Sequence, residues 1–456
     1  MPEAVVQFET SMVEVIRPGG DIAVLEEPGG LRLPLVQLPR YCRTAAALTT
    51  ELRRAYGIET IYLTTVTDPA EVPLPLHVAE LREHGAPPVD WHWIEAAKLQ
   101  EASTAGFPVR AILEGHRVVT TPTSEDYYAQ LGWFDDVLGW VSRLAASRGR
   151  TLTGGFSQWN GGRAFLCRFE AEPGAVWFKA PGPISPLEWT ATPSLAEAAP
   201  EWVPEILGTH LQWRGWLAEE VGESLYTSAE WRRFELAARS LGQMQRRLER
   251  RTDWLFGLGV KDQTLPFLQA HASAFLELVC ALGKVPREQS PAILSAEELL
   301  LLGDCLYSAI DTLAGLGFPD SILHGDIGPG SIVSDGSRCA FIDWSRIYVG
   351  FPPLCCELML NKFAPQLKNI PGWRQQLWNA YLDQWPEFRT ALAPPENRLS
   401  LSLVALMAYV FTKVDIHNFR ERLTPGAAAY LRGIVRRMSA ATAEIRKTNL
   451  EVCRHA

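Results

Sequence analysis

The chain has 456 residues, more than one hydrophobic core normally organises, so two or three domains are expected. Hydrophobic residues make up 47% of the sequence and charged residues 21%, which is typical of a folded soluble protein. The formal net charge of -9 argues against nucleic acid or an anionic membrane as a partner, because no basic excess is present to neutralise phosphates.

Nothing in the sequence predicts export or membrane insertion. The first residues lack a basic stretch followed by an apolar core, so they do not predict a secretory signal. No apolar run approaches the ~20 residues that cross a bilayer. The eight cysteines are scattered without a C-x-x-C pair, which favours reduced thiols in a cytoplasmic protein. The nine histidines are dispersed as well, and we predict no metal site built from protein ligands alone.

Residues 1–120 alternate strand-like runs with turns. Strands are predicted for three apolar runs, at 13–16, 22–25 and 61–66. Residues 44–56 predict a helix that ends at Gly57, a typical helix stop. The segment VDWHWIEAAKL, which starts at Val89, predicts a further helix.

This order of elements resembles the Nudix hydrolase fold, in which a strand pair precedes a helix that ends at a glycine. The signature of that fold places two magnesium-binding glutamates at the end of the helix, where this chain has Arg54 and Ala55. Neither side chain offers the oxygen that magnesium requires. The resemblance therefore implies a Nudix-like domain over residues 1–120 without hydrolase activity. An unrelated small α+β domain has equal weight as an alternative.

Residues 121–150 predict a connecting helix. Ser124 supplies a helix start, and apolar residues recur at three- and four-residue steps, at Leu131, Phe134, Leu138, Val141 and Ala145. We expect this amphipathic helix to pack domains together and assign it no chemistry.

Residues 151–222 predict a small, β-rich lobe. A Gly-Gly turn precedes two strand-like runs, and the second run ends in Lys179. In kinases the backbone of such a hairpin covers nucleotide phosphates, and the strand lysine contacts them. Glu188 lies nine residues later, in a segment broken by Pro193, and can pair with the lysine as a helix glutamate does in kinases. The alternative, of equal weight, is that Glu188 is a surface glutamate.

The run GWLAEEV, residues 215–221, predicts the last strand of this lobe and a hinge. The backbone of that hinge, at Glu219 and Val221, would meet the adenine of a nucleotide. Downstream, helices are predicted over 229–251, 270–282 and 296–316, and most of the chain after Asp343 is helical in pattern.

The stretch from Ile322 to Trp344 carries the strongest chemical signal. It reads ILHGDIGPGSIVSDGSRCAFIDW and places Asp326 in a short loop and Asp343 at the end of a strand. Asp335 and Gly336 supply a hairpin turn between two short strands. Two carboxylates presented in this way suit phosphoryl transfer, in which one orients the attacking hydroxyl and the other holds magnesium.

These segments together resemble the aminoglycoside phosphotransferase and choline kinase family over residues 150–456. The specific part is the H-G-D motif from His324 to Asp326, followed by Ile342-Asp343-Trp344. The resemblance implies an α+β, two-lobed protein-kinase-like fold, with a helical large lobe over residues 223–456. It also implies an enzyme that transfers the γ-phosphoryl group of ATP, with Mg2+, to a hydroxyl of a small molecule.

The resemblance also implies roles for single residues. Asp326 would be the catalytic aspartate, and His324 would brace the catalytic loop. Asp343 would be the principal magnesium ligand, and Ser331 would occupy the second metal position. The nucleotide would be bound by four residues, Lys179, Glu188, Glu219 and Val221.

Two departures from the family pattern leave alternatives open. The family's asparagine is Ser331 here, and a histidine common in the loop is Gly328. A serine hydroxyl is shorter than asparagine and a weaker metal ligand than its carbonyl. A kinase-like module that binds nucleotide with little turnover, and has a regulatory or scaffolding role, is therefore the second interpretation. A Nudix-type hydrolase is the third. The acceptor and the oligomeric state are not readable from the sequence.

Overall fold

The computed structural model divides the chain into two compact units. The first comprises Met1–Trp189 with Glu205–Glu220, and the second comprises Thr190–Pro204 with Val221–Ala456. The structure describes residues 7–28, 30–40, 42–66, 74–82, 88, 90–99, 107–121, 127–183, 185–283, 294–415 and 424–455. None of the described helices is both long and apolar enough to cross a lipid bilayer.

The first unit begins with a mixed sheet. Its strands are β1 (Phe8–Ile16), β2 (Ile22–Glu27), β3 (Gly30–Arg32), β4 (Leu35–Pro39), β5 (Thr60–Val66), β6 (Leu76–Leu81) and β7 (Trp91–Ile94). The order is β3-β2-β1-β6-β5, with β4 on β1 and β7 on β2. Strands β1 and β6 are parallel, and β6 is buried along its whole length.

Two helices accompany this sheet. Helix α1 (Thr44–Tyr56) has the predicted bounds and ends because Gly57 adopts a left-handed conformation, with φ of 69°. Helix α2 (Val109–Thr120) buries an apolar face that includes Ile112 and Val119. The helix predicted from Val89 is wrong over Trp91–Ile94, which forms β7 against β2; Val89 itself lies outside the described residues. Aromatic and β-branched residues favour the pleated surface there, and Trp91 is buried by it.

The first unit continues with a helix and an antiparallel sheet. Helix α3 (Trp133–Ser147) buries Phe134, Val137 and Val141, as the predicted amphipathic pattern requires. The helix start predicted at Ser124 is wrong, because the helix begins only at Trp133, after Gly132, which adopts a left-handed conformation with φ of 81°. Ser124 itself lies outside the described residues. The sheet has the order β11-β12-β10-β9-β8. Its strands are β8 (Thr151–Asn160), β9 (Phe165–Glu172), β10 (Val176–Ala180), β11 (Ile206–His210) and β12 (Gly215–Glu219).

The two sheets of the first unit share one hydrophobic core. A single buried cluster contains Ile61 and Val78 of the first sheet together with Phe134 of α3 and Phe178 of the second sheet. The buried Gln158 side chain of β8 replaces a strand neighbour for β5: its Oε1 accepts from the Tyr62 N–H at 2.8 Å, and its Nε2 donates to the Tyr62 carbonyl at 2.9 Å. Both buried backbone groups are therefore satisfied.

Helix α4 (Pro186–Ala198) follows β10 and continues through Pro193, where the sequence predicted a break. Proline inside a helix removes one backbone donor and so disfavours the helix locally. Because the helix forms nevertheless, we infer that the packing around it outweighs this local preference.

The second unit is mostly helical. Its helices are α5 (Trp231–Leu248), α6 (Thr252–Gly257), α7 (Leu265–Ala270), α8 (Ala272–Leu282), α9 (Ala296–Ala314), α10 (Pro352–Leu367), α11 (Trp373–Leu382), α12 (Pro395–Lys413) and α13 (Pro425–His455). Helix α9 begins in a capping box, in which Ser295 and Glu298 bind each other's backbone N–H. The predicted α+β class, with a β-rich part followed by a largely helical part, is confirmed.

Two small sheets in the second unit hold the predicted catalytic stretch. Strands β13 (Glu223–Ser224), β16 (Ile332–Ser334) and β17 (Cys339–Phe341) form one sheet, and β14 (Lys261–Gln263), β18 (Ile347–Gly350) and β15 (Ser321–His324) form the other. Strands β16 and β17 are antiparallel neighbours, as the predicted hairpin requires. The stretch thus leaves one sheet at His324 and crosses into the other.

Candidate active site

The strand lysine and the helix glutamate predicted from the sequence form an ion pair in the first unit. Lys179 lies on β10, between Leu166 of β9 and Trp216 of β12. Its Nζ donates to Oε1 of Glu188, in the first turn of α4, at 2.5 Å. The Glu188 side chain is 2% exposed and that of Lys179 is 19% exposed, so the pair is largely removed from water. Such a pair fixes both side chains, because separating them would leave a buried charge.

The end of β12 is fixed by two glutamates, of which the sequence singled out one. The backbone N–H of Glu219 donates to the Glu205 carbonyl at 3.0 Å, and its carboxylate accepts from the Glu205 N–H at 3.2 Å. Glu220, which sequence reasoning passed over, accepts two hydrogen bonds from Arg168 and one from the Trp177 indole. The hydrogen bond from Arg168 lowers the pKa of Glu220 below its ordinary value.

The segment after β12 continues into the second unit, where it joins the predicted catalytic hairpin. Val221 is half-buried and precedes Gly222. Gly222 has a φ of 145°, which other residues adopt only with strain. A Cβ at Gly222 would lie 2.5 Å from the Ser334 carbonyl oxygen, so the backbones approach as closely as only glycine permits. Strand β13 then pairs Glu223 with Ser334.

His324 is buried at the end of β15, and its ring holds the loop together. Nδ1 accepts from the Asp326 N–H at 3.3 Å, so the proton is on Nε2, which donates to the Ile342 carbonyl at 2.9 Å. The ring also packs against Trp344, with ring centroids 4.7 Å apart. Burial lowers the pKa of His324. A neutral imidazole with both nitrogens engaged by backbone connects the H-G-D loop to the I-D-W segment.

The presence of glycine between His324 and Asp326 has a steric explanation. A Cβ at Gly325 would lie 2.5 Å from the Tyr348 ring and 2.9 Å from the Thr412 methyl group. Any other residue would push the loop away from these neighbours.

The Ser331 hydroxyl is bound by the backbone of its own loop. It accepts from the Gly328 N–H at 3.0 Å and lies 3.1 Å from the Gly328 carbonyl and 3.3 Å from that of Asp326. The residue is buried, with 7% of its surface exposed. Its present hydrogen bonds brace the loop, and its role as a metal ligand stays a prediction.

Asp343, the predicted magnesium ligand, lies exposed in a loop whose neighbouring residues are fixed. It follows β17 and is exposed, and its φ of 66° lies in the left-handed region that aspartate adopts more readily than most residues. Its neighbours on both sides are fixed: the Ile342 N–H donates to the Ser331 carbonyl at 2.9 Å, and the Trp344 indole donates to the Phe341 carbonyl at 3.0 Å.

Asp326 lies between two cations that sequence reasoning missed. Lys413, the last residue of α12, donates to Oδ1 at 3.0 Å, and Arg346 approaches Oδ2 at 3.4 Å. The Asp326 side chain is 41% exposed, so its carboxylate remains accessible to a reactant. Arg346 lies two residues after the I-D-W motif, which is a sequence signal, whereas Lys413 is 87 residues from Asp326 and gave none.

The residues present suit magnesium in the way kinases bind it. Among the described residues, no group of three or more His, Cys, Asp or Glu side chains is arranged to hold a metal ion. Magnesium bound to a nucleotide needs only one or two carboxylates, because phosphates and water complete its octahedron. The exposed Asp343 carboxylate supplies a donor of that kind.

Helix α1, which the sequence compares with the Nudix signature, carries a surface ion pair at its end. Arg54 donates two hydrogen bonds to Glu51 on the surface of α1, at 2.8 and 2.6 Å. The Glu51 carboxylate is thus neutralised by an arginine. The Nudix-like character of this region stays a prediction.

Comparisons with known proteins find similar solved structures at low identity. No family model matches the sequence, and neither does any curated protein. A choline/ethanolamine kinase family protein from Mesorhizobium loti is 16% identical, over 69% of this chain and 99% of its own, with a TM-score of 0.41. A macrolide 2'-phosphotransferase from Brachybacterium faecium is 18% identical, over 64% and 97%, with a TM-score of 0.41. An ethanolamine kinase from Plasmodium vivax is 13% identical, over 76% and 94%, with a TM-score of 0.42.

Proposed function

We propose that this protein is an ATP- and Mg2+-dependent phosphotransferase that acts on a hydroxyl group of a small molecule. The observation that carries the proposal is the ion pair between Lys179 and Glu188, a strand lysine held by a helix glutamate. Protein kinases require this pair to hold the α and β phosphates of ATP. The loop that presents Asp326 and Asp343 adds the two carboxylates that the same chemistry uses.

The proposed reaction assigns one task to each residue. Lys179 neutralises the α and β phosphates, and Glu188 holds its side chain in place. Asp326 orients the acceptor hydroxyl, whose oxygen bonds to the γ-phosphorus as the bond to the β,γ-bridging oxygen breaks. ADP leaves, and the proton of the hydroxyl passes to Asp326. Magnesium held by Asp343 would supply neutralisation of the phosphate charge.

His324 does not exchange protons in this scheme. Both of its ring nitrogens are engaged by backbone groups, and burial lowers its pKa. It acts as a positioning residue, which fixes the loop of Asp326 relative to Asp343. Glu219 ends β12 and Val221 lies two residues later, in the segment whose backbone would meet the adenine. The Glu219 N–H already donates to the Glu205 carbonyl, so the adenine would meet other backbone groups of this segment.

A coupled ADP-release assay over hydroxyl-bearing metabolites and antibiotics tests the proposal, with Asp326→Ala as the blank. We expect at least one acceptor to raise ADP release above the ATP-only rate, and Asp326→Ala to lose that stimulation while it still binds ATP. Equal rates for the wild type and Asp326→Ala with every acceptor would contradict the proposal.

Ser331 favours a second candidate, a nucleotide-binding module with little turnover. Its hydroxyl is occupied by loop backbone, so the second metal position of the family loses its carbonyl donor. Ser331→Asn separates the two functions. A gain of about tenfold or more in ADP release would favour the impaired module. A loss would show that the loop is adapted to serine and would favour the working enzyme.

A further inference from the structure

The surroundings of Asp326 are basic, and this indicates the chemical class of the acceptor. We propose that the acceptor is an anionic alcohol, a small molecule whose carboxylate or phosphate group is bound by Lys413, Lys362 and Arg346 while its hydroxyl meets Asp326. The inference rests on the proposed function, and the experiment below lets either fail without the other.

Lys413 and Arg346 each contact a different carboxylate oxygen of Asp326. Lys413 Nζ lies 3.0 Å from Oδ1, and Arg346 Nη1 lies 3.4 Å from Oδ2. The Lys413 side chain is 19% exposed and that of Arg346 is 36% exposed, so both cations lie at the edge of solvent. A group bound next to the Asp326 carboxylate therefore comes within reach of both.

Lys362 is a third cation near Asp326, because it contacts Tyr409, which Lys413 also contacts. Its Nζ donates to the Tyr409 hydroxyl at 2.9 Å, and the ammonium groups of Lys362 and Lys413 each lie 4.9 Å from the centroid of that ring. The Tyr409 hydroxyl is also 2.8 Å from the Tyr430 hydroxyl. Tyr430 as a whole is 51% exposed. Two lysines and the exposed Tyr430 thus form a donor-rich surface around the buried Tyr409, beside the catalytic loop.

The departure at Gly328 contributes to this surface. A Cβ at Gly328 would lie 3.4 Å from Cβ and 3.5 Å from Cγ of Lys362. Glycine leaves Lys362 packed directly on the loop that carries Asp326.

The charges of these groups do not balance. Arg346, Lys362 and Lys413 carry three positive charges and Asp326 carries one negative charge, which leaves +2 on the four groups. Burial lowers the pKa of Lys413, and Arg346 and Lys362 lower it further, whereas the hydrogen bond to Asp326 raises it. An anionic acceptor relieves this repulsion, and a polycationic acceptor increases it.

Another role for these cations is to bind the phosphates of ATP. The two roles differ in the kinetic constant that they control. Cations that bind the acceptor set the KM of the acceptor and the preference between charged and neutral acceptors. Cations that bind ATP set the KM of ATP, and their loss weakens all acceptors equally.

Matched acceptors test the inference by ADP release. The pairs are glycerol with glycerol 3-phosphate, ribose with ribose 5-phosphate, and propanol with lactate, so that phosphate and carboxylate are separate arms; choline and kanamycin supply cations. We expect kcat/KM for an anionic member to exceed that of its neutral partner by about tenfold or more. Lys362→Met should raise the KM of that acceptor about tenfold without changing the KM of ATP, and Lys368→Met, an exposed lysine that follows the same helix, is the control.

A binding measurement decides the inference independently of turnover. The full-length protein, saturated with Mg2+ and a non-hydrolysable ATP analogue, is titrated with glycerol 3-phosphate, lactate and glycerol in a calorimeter. We expect an anion to bind at least about tenfold tighter than glycerol, and this preference to disappear in Lys362→Met/Lys413→Met.

The outcomes separate the two proposals. Preference for a neutral or cationic acceptor, or an anion preference that the lysine variants retain, overturns the anionic acceptor and leaves the phosphotransferase standing. Absence of ADP release with every acceptor counts against the phosphotransferase, and the titration then decides alone whether the basic surface binds anions. Equal binding of glycerol 3-phosphate, lactate and glycerol overturns the inference.

Discussion

At the scale of single residues, the buried pair of Lys179 and Glu188 makes the sharpest demand on the proposed chemistry. We expect Lys179→Met to lower kcat/KM for ATP about a hundredfold or more, because the phosphates lose their fixed cation. Lys98→Met is the matched control, since Lys98 pairs with Glu95 at 2.6 Å on the surface. Steady-state ADP release at varied ATP measures both.

A second variant keeps this prediction separate from folding. Lys179→Met leaves Glu188 buried without its cation, which destabilises the first unit. Lys179→Met/Glu188→Leu removes both charges and should recover thermal stability without recovering activity. Activity of either variant equal to that of the wild type would show that the pair is structural only.

Glu14 is a residue-scale feature that the proposed reaction does not use. It is fully buried on β1, and neither carboxylate oxygen has a hydrogen-bond partner in the part of the chain that the structure describes. A Cβ at Gly115 of α2 would lie 2.6 Å from Oε2, so the carboxyl group is packed directly beneath that helix. Burial raises the pKa of Glu14 well above its ordinary value of 4.5.

This burial predicts a pH dependence of stability. Above pH 4.5 the unfolded chain releases the Glu14 proton while the folded chain retains it, so stability falls as the pH rises toward the folded pKa. Glu14→Gln removes this loss. We expect its Tm to exceed that of the wild type by about 2–4 °C at pH 8 and by less at pH 5. Glu9→Gln, at a half-exposed glutamate on the same strand, is the control. A Tm difference independent of pH would contradict the prediction.

At the scale of elements, glycine is required at position 222 because the backbone there passes close to the hairpin of β16 and β17. Gly222→Ala would place a methyl group 2.5 Å from the Ser334 carbonyl at a φ of 145°. We expect a fall in Tm of a few degrees and a loss of ADP release, because β13 is displaced from the hairpin that leads to Asp343. Gly257→Ala is the control, since its Cβ meets nothing within 4 Å. Unchanged stability in Gly222→Ala would remove this constraint.

Elements with strong local signals were predicted well. Helix α1 has the predicted bounds because its apolar residues and the left-handed Gly57 agree. The hairpin from Ile332 to Phe341 follows from its Asp-Gly turn. Strand β7 was missed because four residues beside a helical pattern carry little periodicity, and only pairing with β2 decides their conformation. Pro193 predicted a break in α4 that tertiary packing overrides.

The chemistry was predictable only where it is local in sequence. His324, Asp326 and Asp343 lie within one stretch, and the nine-residue spacing of Lys179 and Glu188 fits a strand followed by a helix. Lys413 reaches Asp326 from the end of a distant helix, and this contact follows from tertiary packing alone. The sequence predicts metal binding for the Ser331 hydroxyl, whereas its hydrogen bonds to the Gly328 backbone depend on the folded loop.

At the scale of the molecule, the first unit joins the N-terminal sheet to the predicted ATP-binding sheet through one core. Phe134 of α3 stacks on Phe169 of the second sheet, with ring centroids 6.0 Å apart, and Arg82 of the N-terminal region lies over the same Phe134 ring at 5.1 Å. The buried Gln158 adds hydrogen bonds to Tyr62 of β5. We infer that the N-terminal region supports the sheet that carries Lys179, independently of any hydrolase ancestry.

Phosphorus NMR can follow the proposed transfer of the γ-phosphoryl group to an alcohol. The protein is mixed with Mg2+, ATP and an acceptor identified by ADP release, and the spectra are followed with time. We expect the γ-phosphate resonance of ATP to be replaced by those of ADP and a phosphomonoester in equal amounts, and Asp326→Ala to leave ATP intact. Formation of AMP, or of ADP with inorganic phosphate and no phosphomonoester, would contradict it.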